Sequence, residues 1–184
     1  AFFAIHGPLQ SVLRVTTARR KVFWDGTLYD GRRLFLLSQI FPRGGLRLSL
    51  FARRGDEVDF ANSRLGKERR FVPTLAWNIN EHLLLRLRHT SVELDTRWGE
   101  QIFDAELTDA RLTWQFNVRS FLRFTAQIRD VERNQDEYID EVDASSSSTG
   151  RQLLYSYKLN PQTVFFLGYS DNYVDDDDLS SMTV

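Results

Sequence analysis

Cysteine is absent from the 184 residues, methionine occurs once and proline four times. No disulfide, thiolate nucleophile or thiolate metal site is therefore available to the chain. An excess of either charge is also missing. The 24 basic and 25 acidic side chains leave a formal net charge of −1, so bulk charge does not mark a nucleic-acid binder. No apolar run approaches the roughly 18 residues a transmembrane helix needs. The longest candidates, LFLLSQIF and TVFFLGY, have the length of strands. A basic segment leading into an apolar one is missing from the opening AFFAIHGP, so no signal peptide is visible. The end falls inside the polar stretch DNYVDDDDLSSMTV, and both termini read as cuts through a longer mature protein. A mean hydropathy of −0.38 suits a soluble protein. It suits a membrane barrel equally, because only alternate residues of such a barrel face lipid.

What the chain has is alternation. Aromatics make up 13% of it, including 14 Phe and 4 Trp, a composition that favours strands. In GLRLSLFAR, Leu46, Leu48, Leu50 and Ala52 share one face and Arg47, Ser49, Phe51 and Arg53 the other. In RFVPTLAWNI, Phe71, Pro73, Leu75 and Trp77 oppose Val72, Thr74 and Ala76. HLLLRLRHT sets Leu83, Leu85 and Leu87 against Arg86 and Arg88. ARLTWQF sets Leu112, Trp114 and Phe116 against Arg111, Thr113 and Gln115. FLRFTAQIR sets Leu122, Phe124, Ala126 and Ile128 against Arg123, Thr125, Gln127 and Arg129. GRQLLYSYKL and TVFFLGY complete the series. A period of two over such lengths predicts strands throughout. About nine to ten are expected, joined as an antiparallel meander. Pro73 cannot donate to a ladder, so a bulge or a local loss of pairing is expected there.

Tight turns are expected near residues 8, 44, 80, 118 and 160, at nearly constant spacing. Polar stretches near 25–31, 54–69, 131–150 and 171–184 are expected as long loops at the opposite end, with 96–101 compact. Short turns on one side and long loops on the other are how an up-and-down transmembrane β-barrel is strung. Several stretches reach the nine to eleven residues that a tilted strand needs to cross a bilayer. Trp77, Trp114, Tyr155, Tyr157 and Tyr169 stand near apolar strand ends, where amphipathic rings suit the headgroup zone. Asp104 and Glu106 fall in phase with Leu112 and Trp114, so that strand must extend beyond the apolar layer. The fold class expected is all-β, an antiparallel transmembrane barrel or part of one. A soluble all-β ligand-binding domain is the competing class, since a sandwich also alternates.

The run GRQLLYSYKLNPQTVFFLGYSDNY resembles the C-terminal hairpin of a bacterial outer-membrane barrel family of uncharacterised function. FPRGGLRLSLFARRGDEVDFANSRLG, LAWNINEHLLLRLRHTSVELD and EQIFDAELTDARLTWQFNVRSFLRFTAQ fit the same family in order. In that family the barrel follows a module similar to family-nine carbohydrate-binding domains, which is not in this sequence; the family's final strand is not found in it either. The resemblance implies an outer-membrane location, a lipid bilayer with lipopolysaccharide as surroundings, and an anchoring or conducting role in glycan binding or uptake. It brings no catalytic residue and no cofactor, and none is assigned.

Four groups of residues carry potential chemistry. Arg47, Arg53, Arg86, Arg88, Arg111, Arg123 and Arg129 are expected to face a polar lumen. There they either favour anions or pair with inward acids such as Asp109. Asp136, Glu137 and Asp140, and then Asp175, Asp176, Asp177 and Asp178, supply oxygen ligands for a hard cation. They lack EF-hand spacing, and charge runs are commonly just solvated. His89, Ser91 and Glu93 share a face and suggest an outer-membrane hydrolase. Same-face neighbours stand about 7 Å apart, however, too far for a direct Ser–His hydrogen bond. Trp24, Trp98 and Tyr173 offer stacking surfaces for sugar rings or anchors for loops.

Overall fold

The computed structural model describes residues 1–176. The alternating stretches form ten strands: β1 (Phe2–Gly7), β2 (Ser11–Trp24), β3 (Thr27–Arg43), β4 (Leu46–Asp59), β5 (Arg64–Asn78), β6 (Leu83–Asp95), β7 (Gln101–Asn117), β8 (Ser120–Arg133), β9 (Ser145–Asn160) and β10 (Thr163–Asp176). Each pairs antiparallel with its neighbour in chain order, giving one ten-stranded up-and-down sheet. The architecture is the expected one, a barrel or part of one, and it is not closed: β1 and β10 are the edges.

At one end the connections fall at 8–10, 44–45, 79–82, 118–119 and 161–162, where the turn residues place them. Three of these turns share one device. The Asn80 Oδ1 accepts from the backbone N–H groups of His82 and Leu83 at 2.8 and 2.9 Å. Asn117 does the same for Arg119 and Asn160 for Gln162, at 2.8 and 3.0 Å. An asparagine side chain that stands in for a backbone acceptor fixes a turn without help from the rest of the fold.

The opposite end corrects the sequence reading. The expected loop at 25–31 is the two-residue turn Asp25–Gly26. The stretch 54–69 is strand except for 60–63, and 131–150 narrows to 134–144. The backbone of the stretch after 171 remains strand as far as Asp176. Gly, Asp, Arg and Ser were read as loop-formers. Here they continue the ladders, because polar side chains on both faces suit a strand standing in water.

Directly opposed residues lie on the same side of a sheet, so the register sorts every side chain. One side carries Leu48, Leu75, Leu87 and Ala110 in one row, and Leu46, Trp77, Leu85, Leu112, Phe124, Leu153 and Tyr169 in another. No second protein layer covers this side: among the described residues only Val58, Val72, Leu94, Ile102 and Val131 are buried apolar side chains. Trp114, Phe165, Leu167 and Tyr169 are all more than half exposed.

The apolar side has a sharp upper limit, and that limit runs diagonally. On β4 and β5 the first charges above it are Arg54 and Arg69, opposed to each other. Their row continues through Glu93, Asp104 and Glu132 to Ser145. On β9 and β10 the first charges are Arg151 and Asp171, also opposed. The limit has therefore moved from the level of Ser145 to that of Arg151. Strands tilted across a flat apolar slab produce this drift. Asp104 and Glu106 lie above the limit, on the extension of β7 that they require.

Around Pro73 the β5–β6 ladder has no partners between Phe71↔Ser91 and Thr74↔Arg88, and the register is unchanged on either side. Pairing is lost without a bulge. Gly55 sits between Arg33 and Glu68 in one row. A side chain there would meet the Arg32 carbonyl oxygen at 2.2 Å and the Arg33 Cα at 2.7 Å. Gly55→Ala is expected to destabilise the sheet by about 1–3 kcal/mol through overpacking, read as a lowered midpoint of denaturant unfolding.

Candidate functional site: an arginine-lined polar face

Arg47, Arg53, Arg86, Arg88, Arg111, Arg123 and Arg129 all lie on the side opposite the apolar one. Arg47 faces Ala76, Ala76 faces Arg86, Arg86 faces Arg111 and Arg111 faces Thr125, so three of the arginines share one row. Arg88 faces Asp109 in the next row. Arg123 faces Thr113, Arg129 faces Leu107, and Arg53 follows the phase of Arg47 along β4.

Along this face the arginines divide into two populations. Towards the end with the corrected loops they are neutralised. Glu68, 5% exposed, binds both Arg53 and Arg70: its Oε1 accepts from the Arg53 Nε at 2.8 Å and from the Arg70 Nε at 3.1 Å. Glu57 takes Arg33 at 2.5 Å and Arg53 at 3.1 Å, with Arg20 at 3.9 Å. Beside them Arg64 joins Asp59 at 3.0 Å to Glu137 at 2.8 Å. Removing one partner from such a buried set leaves an uncompensated charge, whereas the intact set is self-consistent.

Towards the asparagine turns the pattern changes. Arg53 alone of the seven has an ion pair among the described residues. Asp109 does not neutralise Arg88; its Oδ1 accepts from the Gln127 amide at 2.9 Å. Between Arg86, Arg111 and Arg123 lies an open cleft of about 240 Å³, with Thr113 and Gln115 beside them. It adjoins a second of about 420 Å³ that takes in Arg47, Arg88 and Asp109. The electrostatics are one-sided here: several guanidinium groups, one carboxylate, and the hydroxyls of Thr113 and Thr125.

Among the described residues the candidate acids do not converge. Glu137, in a short 3₁₀ turn, is engaged by Arg64, while Asp136 and Asp140 are exposed. Asp175 and Asp176 contribute backbone to the end of β10, and Asp177 and Asp178 lie outside the described residues. Among the described residues no three acids or histidines group as metal ligands. His89, Ser91 and Glu93 point to the apolar side and are used separately. The His89 Nδ1 lies 2.9 Å from the Thr108 hydroxyl, Glu93 binds Arg69, and Ser91 faces Glu106. Trp24 packs edge-on against Phe60 at 5.1 Å, Trp98 is 91% exposed at a loop tip, and Tyr173 is exposed on the apolar side of β10.

Sequence reasoning missed Arg33, Glu57, Arg64, Glu68 and Arg70 because most of them lay in a stretch read as loop. Their signal was available: Glu57 keeps the phase of Arg47 and Arg53 along β4, and Arg64, Glu68 and Arg70 keep that of Thr74 along β5.

On the other side of the same ladder Asp56 accepts from the Arg32 N–H at 2.8 Å and from the Lys67 ammonium at 2.5 Å. Partial burial works to raise this carboxyl. The Arg32 N–H, the Lys67 ammonium and the charge of Arg97 outweigh it and hold the group below its ordinary value. A depressed folded value means stability that is present above the unfolded value of about 3.9 and is lost as pH falls through the folded one. Asp56→Asn is expected to be less stable than the parent at pH 7, with the gap shrinking below about pH 4, as read by denaturant titration at both values. Comparison of the chain with family models, curated proteins and solved structures returns no match.

Proposed function

We propose that this chain is the membrane-spanning part of a bacterial outer-membrane β-barrel, serving as a non-enzymatic anchor or conduit with a role in glycan binding or uptake. The observation that carries the reading is the bare apolar side with its diagonal limit. A continuous exposed apolar surface of this extent marks a partner or a membrane, and the drift of its border across the ladder fits a slab better than a second protein. Lipid tolerates no open strand edge, so the reading requires β1 and β10 to be paired in the bilayer.

The border itself supports the same surroundings. On the apolar side Arg19 and Arg32 stand just above Thr17 and Leu34, and Arg54 faces Leu34, around an open cleft of about 610 Å³. Arg19 and Arg32 are directly opposed, and none of the three has an ion pair among the described residues. Guanidinium groups at that level suit lipid phosphates, the chemistry that lipopolysaccharide presents. The outer-membrane family that GRQLLYSYKLNPQTVFFLGYSDNY resembles supports the location and the link to glycans.

The absence of cysteine makes the test clean, because an introduced cysteine is the sole labelling site. Nitroxide labels at Leu83→Cys, Leu85→Cys and Leu87→Cys in lipid vesicles are expected to be accessible to dissolved oxygen and shielded from a water-soluble nickel chelate. Labels at Leu84→Cys and Arg88→Cys should show the reverse. Equal nickel access at all five positions, in a protein that stays folded and monomeric without detergent, would remove the membrane reading in favour of a soluble ligand-binding domain.

A further inference from the structure

The polar face holds two directly opposed arginine pairs among the described residues, Arg53↔Arg70 and Arg86↔Arg111. Like charges placed directly opposite are destabilising, so each pair needs an explanation. The first contains its own: the Glu68 carboxylate lies between the two guanidinium groups and accepts from both, at 2.8 and 3.1 Å. The second has no carboxylate within ion-pairing distance among the described residues. Instead it borders the two open clefts described above, with Arg47, Arg88 and Arg123 around it.

We propose that Arg86 and Arg111 form a binding site for an oxyanion with at least two acceptor oxygens, which occupies the place that Glu68 holds between Arg53 and Arg70. A phosphate group or a carboxylate meets that description, since both accept paired N–H donors from guanidinium groups. Thr125, directly opposite Arg111, and Thr113, in the next row opposite Arg123, offer hydroxyl groups beside the pair. Arg123, with its guanidinium carbon 5.0 Å from the centre of the Phe121 ring, is held at the edge of the smaller cleft. Asp109, the acid that lines the larger cleft, accepts from Gln127 and does not compete for the pair.

The two pairs also differ in exposure: Arg53 and Arg70 are half-buried, whereas Arg86 and Arg111 are exposed and so open to an anion from solution. Both pairs belong to the same face of the same sheet, and among the described residues a carboxylate joins only the first. This assignment rests on the register and the charges of the polar face; it deepens the conduit reading but does not need the membrane to hold.

The experiment is an unfolding titration of the full chain, refolded in detergent or in buffer, at fixed ionic strength with chloride, inorganic phosphate or a hexuronate. The parent is expected to be stabilised by phosphate or by the hexuronate over chloride, and the better of the two identifies the source of the oxyanion. The Arg86→Gln/Arg111→Gln double variant should be at least as stable as the parent in chloride, because repulsion is relieved. Its half-saturating anion concentration should rise at least about tenfold, as expected when charge-assisted hydrogen bonds are lost. Arg53→Gln is the control: it should be less stable in chloride and keep the anion response. Equal stabilisation by all three anions, or an unchanged response in the double variant, overturns the site. Persistence of the response in a protein that proves soluble would leave the site standing and remove only the membrane reading; correct vesicle labelling without a response would do the opposite.

Discussion

The register between neighbouring strands is the constraint from which the rest of this structure follows. Side chains alternate with a period of two, so a slip of one residue in any hairpin would exchange the leucine side for the arginine side along a whole strand. Such a slip in β6 would set Arg86 and Arg88 among Leu75, Leu112 and Trp77. The energetic separation between correct and slipped pairing is therefore large at the level of single strands. The asparagine turns reinforce it locally in the β5–β6, β7–β8 and β9–β10 hairpins, since they set the starting point of each of these before distant contacts exist. The chain does not use loops to enforce its topology; it uses short connections and an unambiguous pattern.

Charge is handled differently in the two halves of the polar face. Glu57 and Glu68 gather Arg20, Arg33, Arg53 and Arg70 into a set with internal compensation, and Asp59, Arg64 and Glu137 form a second one. These ties hold β2 to β5, and the 134–144 loop, alongside the few buried apolar side chains of that end, Val58, Leu94, Ile102 and Val131. Below them, Arg47, Arg86, Arg88, Arg111 and Arg123 remain a field of one sign. Cores with few buried apolar groups ordinarily fail for want of hydrophobic stabilisation. Here hydrogen-bonded ladders, compensated charges and a small apolar cluster carry the upper half, and the apolar side is left uncovered by the described residues.

The strands were legible wherever one face is apolar. Leu46 to Ala52, Leu83 to Leu87 and Leu122 to Ile128 alternate so cleanly that type, direction and facing of seven arginines could be read from them. Pro73 announced its own defect through the missing N–H. Legibility ended where both faces become polar. Between Arg54 and Arg69 the chain offers Gly, Asp, Glu and Arg in a strand whose alternation is one of charge sign and partner, a contrast that hydropathy does not register. The Glu68 bridge was hidden for the same reason: its meaning depends on Arg53 and Arg70 being opposed, which only the pairing reveals. The acidic stretches show a different gap between composition and contact. Their composition suggested ligands gathered for a cation, but Glu137 is committed to an arginine seventy-three positions upstream.

The replacement of the expected loops by strand has a bearing on the end of the molecule that stands clear of the apolar band. Flexible loops adapt to many partners and lose freedom on each encounter. A collar of paired strands, closed by two- to five-residue connections and stapled by ion pairs, is already ordered, so a partner that fits it loses little entropy on docking. Recognition at that rim would therefore be selective in shape and intolerant of misfit, with residues 134–144 as its one longer connection.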